Sequence, residues 1–222
     1  MNQPSVFPFG IRIDEPVTTL TDLIISAICF YAFFALRKWK TSHEIYFLLQ
    51  GYFLCIALST FLGGVMGHGF LYAFSPQWKF PGWVFSMIGI NLIERTMISF
   101  SKAFIKPLFV QLFLWVNIIE LIVFAVLAFI TIDFKYVEIH TAYGLVIFVF
   151  GFSLYHFFKK NHPETVKYFI GAVVMVIFAF FFFVTKIGIS IWFNYMDISH
   201  VFLAVASWMF YLGAKRMLEL VS

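Results

Sequence analysis

The sequence predicts an all-α polytopic membrane protein: one bundle of seven transmembrane helices, filling a single domain over residues 1–222. Three observations predict it. Hydrophobic residues make up 62% of the chain and charged residues 12%, whereas a soluble domain needs about a quarter of its residues charged to cover its surface. The apolar runs are continuous, as in "LFLWVNIIELIVFAVLAFI", and each is long enough to cross about 30 Å of hydrocarbon as a helix. A β-barrel would instead show short alternating segments. Finally, the lysines and arginines segregate by side in a way that only a threaded chain explains.

Taken in order, the spans fall at about 18–36, 45–73, 83–105, 109–132, 139–157, 165–185 and 197–218. A short extramembrane segment, 1–17, precedes the first. The connections carry the punctuation: "RKWKTSHE", "FSPQWKFPG", "KP", "DFKYVE", "KKNHPE" and "KIGISIWFNYM". Trp39, Trp78, Trp83 and Trp192 lie at or near span ends, where amphipathic rings prefer the interface. The N-terminal stretch has no basic region followed by an apolar core, so it does not read as a cleaved signal. Cys29 and Cys55 both fall inside apolar runs, which gives no disulfide framework.

Threading these spans places Arg12, Lys79, Lys135 and Lys186 on the side of the N-terminus. Arg37, Lys38, Lys40, Lys102, Lys106, Lys159, Lys160, Lys167, Lys215 and Arg216 lie on the other. Ten cations against four put the N-terminus outside and the C-terminus in the cytoplasm, in a plasma or bacterial inner membrane. The basic balance is an orientation signal near anionic lipid and implies no nucleic-acid partner.

Ionisable groups inside spans cost about 2.5–3.5 kcal/mol each on insertion scales, so each needs a partner or a purpose. One group sits near the non-cytoplasmic face. Glu15, Thr18, Thr19, Asp22 and Ser26 form a stripe on span one, being spaced by three to four residues. His68 lies late in span two, among Gly63, Gly64, Gly67 and Gly69; His140 opens span five; Asp197 and His200 open span seven. Glu15 is favourable at a helix N-terminus by dipole alone, whereas Asp22 lies too deep for that and needs a partner. A second group is nearer the middle: Asn91, Glu94 and Arg95 in span three, and Asn117 and Glu120 in span four. Depth counting makes Arg95 and Glu120 an intramembrane ion pair. His43, His156 and His162 read as solvated residues of the cytoplasmic side, and a histidine beside a loop, as His140 is, more often hydrogen-bonds at the interface than ligates a metal.

The first group has the chemistry of a zinc centre, which takes three His or carboxylate ligands and one open position. His68 and His200 supply two ligands, and Asp197 or His140 the third. Asp22 or Glu15 then serves as general base, or as the carboxylate that fixes a ligand's tautomer.

With span count, His68 and "DISHVFLAVASWMFYLG" in view, the sequence resembles the CREST superfamily of seven-span membrane hydrolases, in particular the alkaline ceramidases. It is also similar to uncharacterised bacterial seven-span proteins that begin EP-x-T-x-x-TD. The first resemblance implies a zinc-dependent hydrolase cleaving an amide or ester bond of a membrane lipid. It breaks at three places: the family's serine falls at Gly64, its first histidine of the last span at Met196, and its aspartate after span two has no counterpart in "FSPQWKFPG". Other classes fit the same residues. One is a non-catalytic membrane protein, either a ligand-binding or sensory pocket or a structural subunit of a larger complex with a partner. A b-type haem protein with His68 and His200 as axial ligands is another. A retinal protein is disfavoured, since span seven has no mid-span lysine.

Overall fold

Seven long helical segments build the computed structural model, which describes residues 3–221. They are α1 (Pro16–Ala35), α2 (Glu44–Leu62), α3 (Phe80–Ser101), α4 (Pro107–Thr131), a composite of α5 (Lys135–Tyr143) and α6 (Gly151–Phe158), α7 (Pro163–Thr185) and α8 (Tyr195–Val221). Each lies within a few residues of its expected bounds except α2, which stops at Leu62 and comes near the expected end only through its non-α continuation to Gly69. Proline at the start of α1, α4 and α7 sets the helical φ where an N–H would be unpaired anyway. Six of the segments are long and apolar enough to cross a membrane. The exception, α3, is long enough but carries Asn91, Glu94 and Arg95 in its middle.

Two segments wind as π-helix: Gly63–Gly69, which continues α2, and Gly144–Phe150, which joins α5 to α6. A π turn is rare and is frequently met at functional sites. Here each lies against a histidine singled out from the sequence, with His68 inside the first and His140 just before the second.

The helices close a ring. Each of α1, α2, α3, the α5–α6 rod, α7 and α8 packs on the next, and α8 returns to α1. The remaining helix, α4, lies outside against α3 and α5, and most of its length stays exposed, from Leu108 to Ile130. The apolar core, with Leu36, Leu49, Phe53, Met97, Phe169 and Met217 at its centre, fills the half of the ring near the C-terminal end of α1. The polar clusters occupy the other half. Cys29 and Cys55 are free thiols.

The segment before α1 folds back over that polar end. Val6 and Ile13 form an antiparallel bridge, and Asp14 N–H donates to the Gly69 carbonyl at 2.8 Å. Burial opposes ionisation of Asp14, but bonds from Ser5 and Arg12 outweigh it and hold its carboxyl below the usual range. Gln3 is buried, its Nε2 donating to Asp197 Oδ2 at 2.6 Å and its Oε1 accepting from Val17 N at 2.9 Å.

His156 is fully buried, which corrects its reading as a solvated residue. Its Nε2 meets Ser101 Oγ at 2.8 Å, and Phe100 and Phe104 pack on its ring.

Candidate functional site

Four side chains from three elements meet at the polar end. Glu15 stands at the N-cap of α1 with φ 39° and ψ 57°, a left-handed conformation that costs a non-glycine residue about 1–2 kcal/mol. Its carboxylate caps nothing; it lies 2.7 Å from His68 Nδ1 instead. Because a carboxylate only accepts, Nδ1 carries the proton and His68 Nε2 is directed inward. Two turns further, the buried Asp22 sets its Oδ2 3.9 Å from His68 Nε2 and its Oδ1 3.6 Å from His200 Nε2.

The ring of His200 is fixed in a parallel way. Thr21 gives its hydroxyl proton to the Thr18 carbonyl at 3.0 Å, so its oxygen accepts from His200 Nδ1 at 2.9 Å. Both imidazoles thus have Nδ1 spent and Nε2 facing the same carboxylate. Asp22 itself accepts no hydrogen bond among the described residues. Two donors on one tetrahedral zinc stand about 3.3 Å apart; the two gaps around Asp22 are longer than that, run to different oxygens of the carboxylate, and are too long for hydrogen bonds. Among the described residues, the trio whose ligand atoms lie within 4.8 Å of one another is Glu94, Glu120 and His140 instead.

Glycine is what lets α1 come this near. A Cβ at Gly64 would lie 3.0 Å from Asp22 Cβ and 3.2 Å from the Thr19 carbonyl, whereas one at Gly67 would meet nothing within 4 Å. Gly64→Ala should therefore push α1 off the π segment and loosen the His68–Asp22 approach, with a loss of about 1–3 kcal/mol. Gly67→Ala should be near neutral. Thermal unfolding of the two variants checks the pair, and equal effects would refute the packing argument.

Beside this cluster the ring encloses a cavity of about 490 Å³. Ile25, Tyr52, Ile90, Leu203 and Phe210 give it an apolar wall; its polar points include Ser59, Thr60, Glu138, Thr141 and His200. Ligand sites typically span 300–1,000 Å³ with a few convergent polar groups on an apolar lining. Val146, Ile177 and Phe180 line the cavity and are also exposed outward, so it reaches the outer surface between the α5–α6 rod and α7.

Two residues expected at the cluster lie elsewhere. Asp197 is fully buried and accepts from Thr18 Oγ1 (2.8 Å), Gln3 Nε2 (2.6 Å) and the Asn194 N–H (2.6 Å). Asn194 Oδ1 in turn accepts from Met196 N at 2.8 Å. Together these bonds make a capping-box arrangement at the start of α8, and they commit the Asp197 carboxylate to three hydrogen bonds, none of them to His200. His140, buried behind α3, meets Glu120 Oε2 at 2.8 Å and the Met87 carbonyl at 3.0 Å. The expected Arg95–Glu120 ion pair does not form, and Arg95 makes no ion pair among the described residues. Glu94 and Glu120 face each other across α3 and α4, and a step of one residue turns Arg95 about 100° away from Glu94.

Fold and site together define an all-helical chain, with six helices suited to span a membrane and a His–carboxylate cluster beside an apolar cavity. The chain belongs to a family of unknown function, DUF6962, whose model matches residues 17–219. No curated protein and no solved structure matches it.

Proposed function

We propose that this chain is a seven-span, zinc-dependent hydrolase that cleaves an amide or ester bond of a membrane lipid, with its N-terminus outside and its C-terminus cytoplasmic. The observation that carries the reading is the convergence of His68 Nε2 and His200 Nε2 on the unbonded Asp22 carboxylate at the edge of an apolar cavity. These three residues would hold the metal, a ligand set of two imidazoles and a carboxylate that suits zinc and leaves one position open. Zinc in such a set supplies a Lewis acid and a water acidified to near neutrality.

The chain's own residues do the positioning. Glu15 and Thr21 hold the two rings in the tautomer that presents Nε2, the usual task of groups behind metal-bound histidines. Glu15 is thus a positioning residue on this reading, and Asp22 a ligand. The cavity would take an acyl chain, entering sideways past Val146, Ile177 and Phe180, and would bring the head-group linkage to His200. Burial of the reacting bond in an apolar ring also keeps bulk water away, which strengthens every electrostatic contact made there.

The test compares zinc content and hydrolysis of ceramide and acyl-phospholipid probes by detergent-purified wild type and His68→Ala/His200→Ala. The expected result is loss of about one equivalent of zinc per chain together with loss of hydrolysis. Equal zinc in the two proteins overturns the proposal. A lipid co-purifying with both would then assign the cavity to binding without chemistry.

A further inference from the structure

The second polar cluster lies between α3, α4 and α5, and shares no residue with the first. Its sequence signature is a repeated N-x-x-E: Asn91–Glu94 in "NLIE" on α3 and Asn117–Glu120 in "NIIE" on α4. The two helices run antiparallel, and the motifs interlock. Asn91 Nδ2 donates to the Asn117 carbonyl at 2.7 Å, and Asn117 Nδ2 donates to the Asn91 carbonyl at 3.1 Å and to Glu94 Oε2 at 3.0 Å. This pins Glu94 and Glu120 at one depth, facing each other. His140 on α5 completes the set: one ligand atom from each of Glu94, Glu120 and His140 lies within 4.8 Å of the other two.

The unspent lone pairs point to an occupant. Glu94 Oε1, Glu120 Oε1 and Asn117 Oδ1 are buried and have no hydrogen-bond partner; their residues are 0%, 8% and 0% exposed. Buried acceptors are nearly always satisfied, and three orphans in one cluster need a cation or its equivalent. Arg95 makes no bond to them. His140 Nε2 donates to the Met87 carbonyl, which leaves Nδ1 aimed at Glu120, with the backbone fixing the tautomer as it does behind metal-bound imidazoles. Gly144 has been left without a side chain where Glu94 reaches in: a Cβ there would sit 2.1 Å from Glu94 Oε1.

We propose that Glu94, Glu120 and His140, backed by the Asn117 amide oxygen, bind a divalent transition-metal ion in the interior of the bundle. The two carboxylates balance its charge. One imidazole among oxygens suits zinc, manganese or iron(II), the imidazole arguing against calcium and magnesium and the absence of thiolate against copper(I). The ion would tie α4, which otherwise packs on α3 and on the α5–α6 rod through apolar contacts such as Phe113 with Phe148 and Phe152, to α3 and α5 by ligand bonds.

The test uses the full chain as His68→Ala/His200→Ala, so that the first cluster contributes nothing. After chelation, the protein is equilibrated with Zn²⁺ or Mn²⁺, desalted and analysed for metal and melting temperature. About one retained equivalent and a raised melting temperature are expected, both abolished by adding Glu94→Gln/Glu120→Gln. No retained metal and an unmoved melting temperature overturn the proposal and leave protons as the occupants. Cobalt(II) gives a readout that needs no carboxylate substitution. Visible bands of an ion bound by nitrogen and oxygen are expected with His68→Ala/His200→Ala, and the spectrum of free aqueous cobalt overturns the site.

Discussion

Asp197→Asn should unfold several degrees below wild type while retaining as much zinc as wild type does in the same assay. The carboxylate is buried and accepts three hydrogen bonds, from Thr18, Gln3 and the Asn194 N–H. The isosteric amide offers one oxygen in place of two and sets an NH₂ against donors. At least one buried donor then loses its partner, and the box that starts α8 opens. Stranding a buried donor costs about 1–3 kcal/mol and breaking a charge-assisted network more, so a loss on the order of 3 kcal/mol follows. Gln3 and Thr18 bring the N-terminal segment and α1 to the same carboxylate, so the loss should loosen three elements together. Paired measurement of melting and metal content decides the matter. Loss of metal from an otherwise stable Asp197→Asn protein would return this residue to the ligand set.

Gly144→Ala should be among the most damaging glycine substitutions in the chain. The added methyl would sit 2.1 Å from Glu94 Oε1 and 2.7 Å from Ile90 Cγ2. Glu94 cannot step aside, because its other oxygen is held by Asn117 at 3.0 Å. Overpacking of this kind costs about 1–3 kcal/mol and sometimes more. Gly171→Ala provides the contrast. Its methyl would come equally near an atom, but that atom is Met209 Cε, the free end of a thioether chain that repacks easily. The expected cost there is under about 1 kcal/mol. Unfolding in graded SDS or heat measures both, and equal losses would show that the glutamate is free to move.

The helices were legible in the sequence because apolar run length is fixed by bilayer thickness, and proline and tryptophan mark the ends. Depth was legible too, since it advances linearly along each helix. That is why Glu15, Asp22, His68 and His200 fall together as residue counting places them. Azimuth was not legible. His140 shares their depth but stands on the part of the ring that faces α3 and α4, and no count along one helix reveals which neighbour a side chain meets. The same blindness paired Arg95 with Glu120, one residue and about 100° away from the glutamate that faces it. His156 reads as solvated from its place at the cytoplasmic end of its span, though Ser101 on α3 covers it. Some signals were present and unread: "NYMD" has the spacing of a capping box, and "NLIE" and "NIIE" repeat one pattern on neighbouring helices. Gln3 had no signal, because an irregular segment has no period from which to infer what it touches.

The π segment Gly63–Gly69 carries a consequence for how this site tolerates changes in chain length. Each π turn stows one residue more than an α turn. Deleting a single residue between Leu62 and His68 would let the helix close into regular α geometry with its hydrogen bonds intact and the imidazole near its present azimuth, because six π steps turn the chain about as far as five α steps. Deleting a second would swing the imidazole by about 100° away from Asp22. The chain one residue shorter would keep the His68–Asp22 approach, and the chain two residues shorter would lose it. At this point along the polypeptide one residue is spare, and beyond it the number of residues is as strict a requirement as their identity.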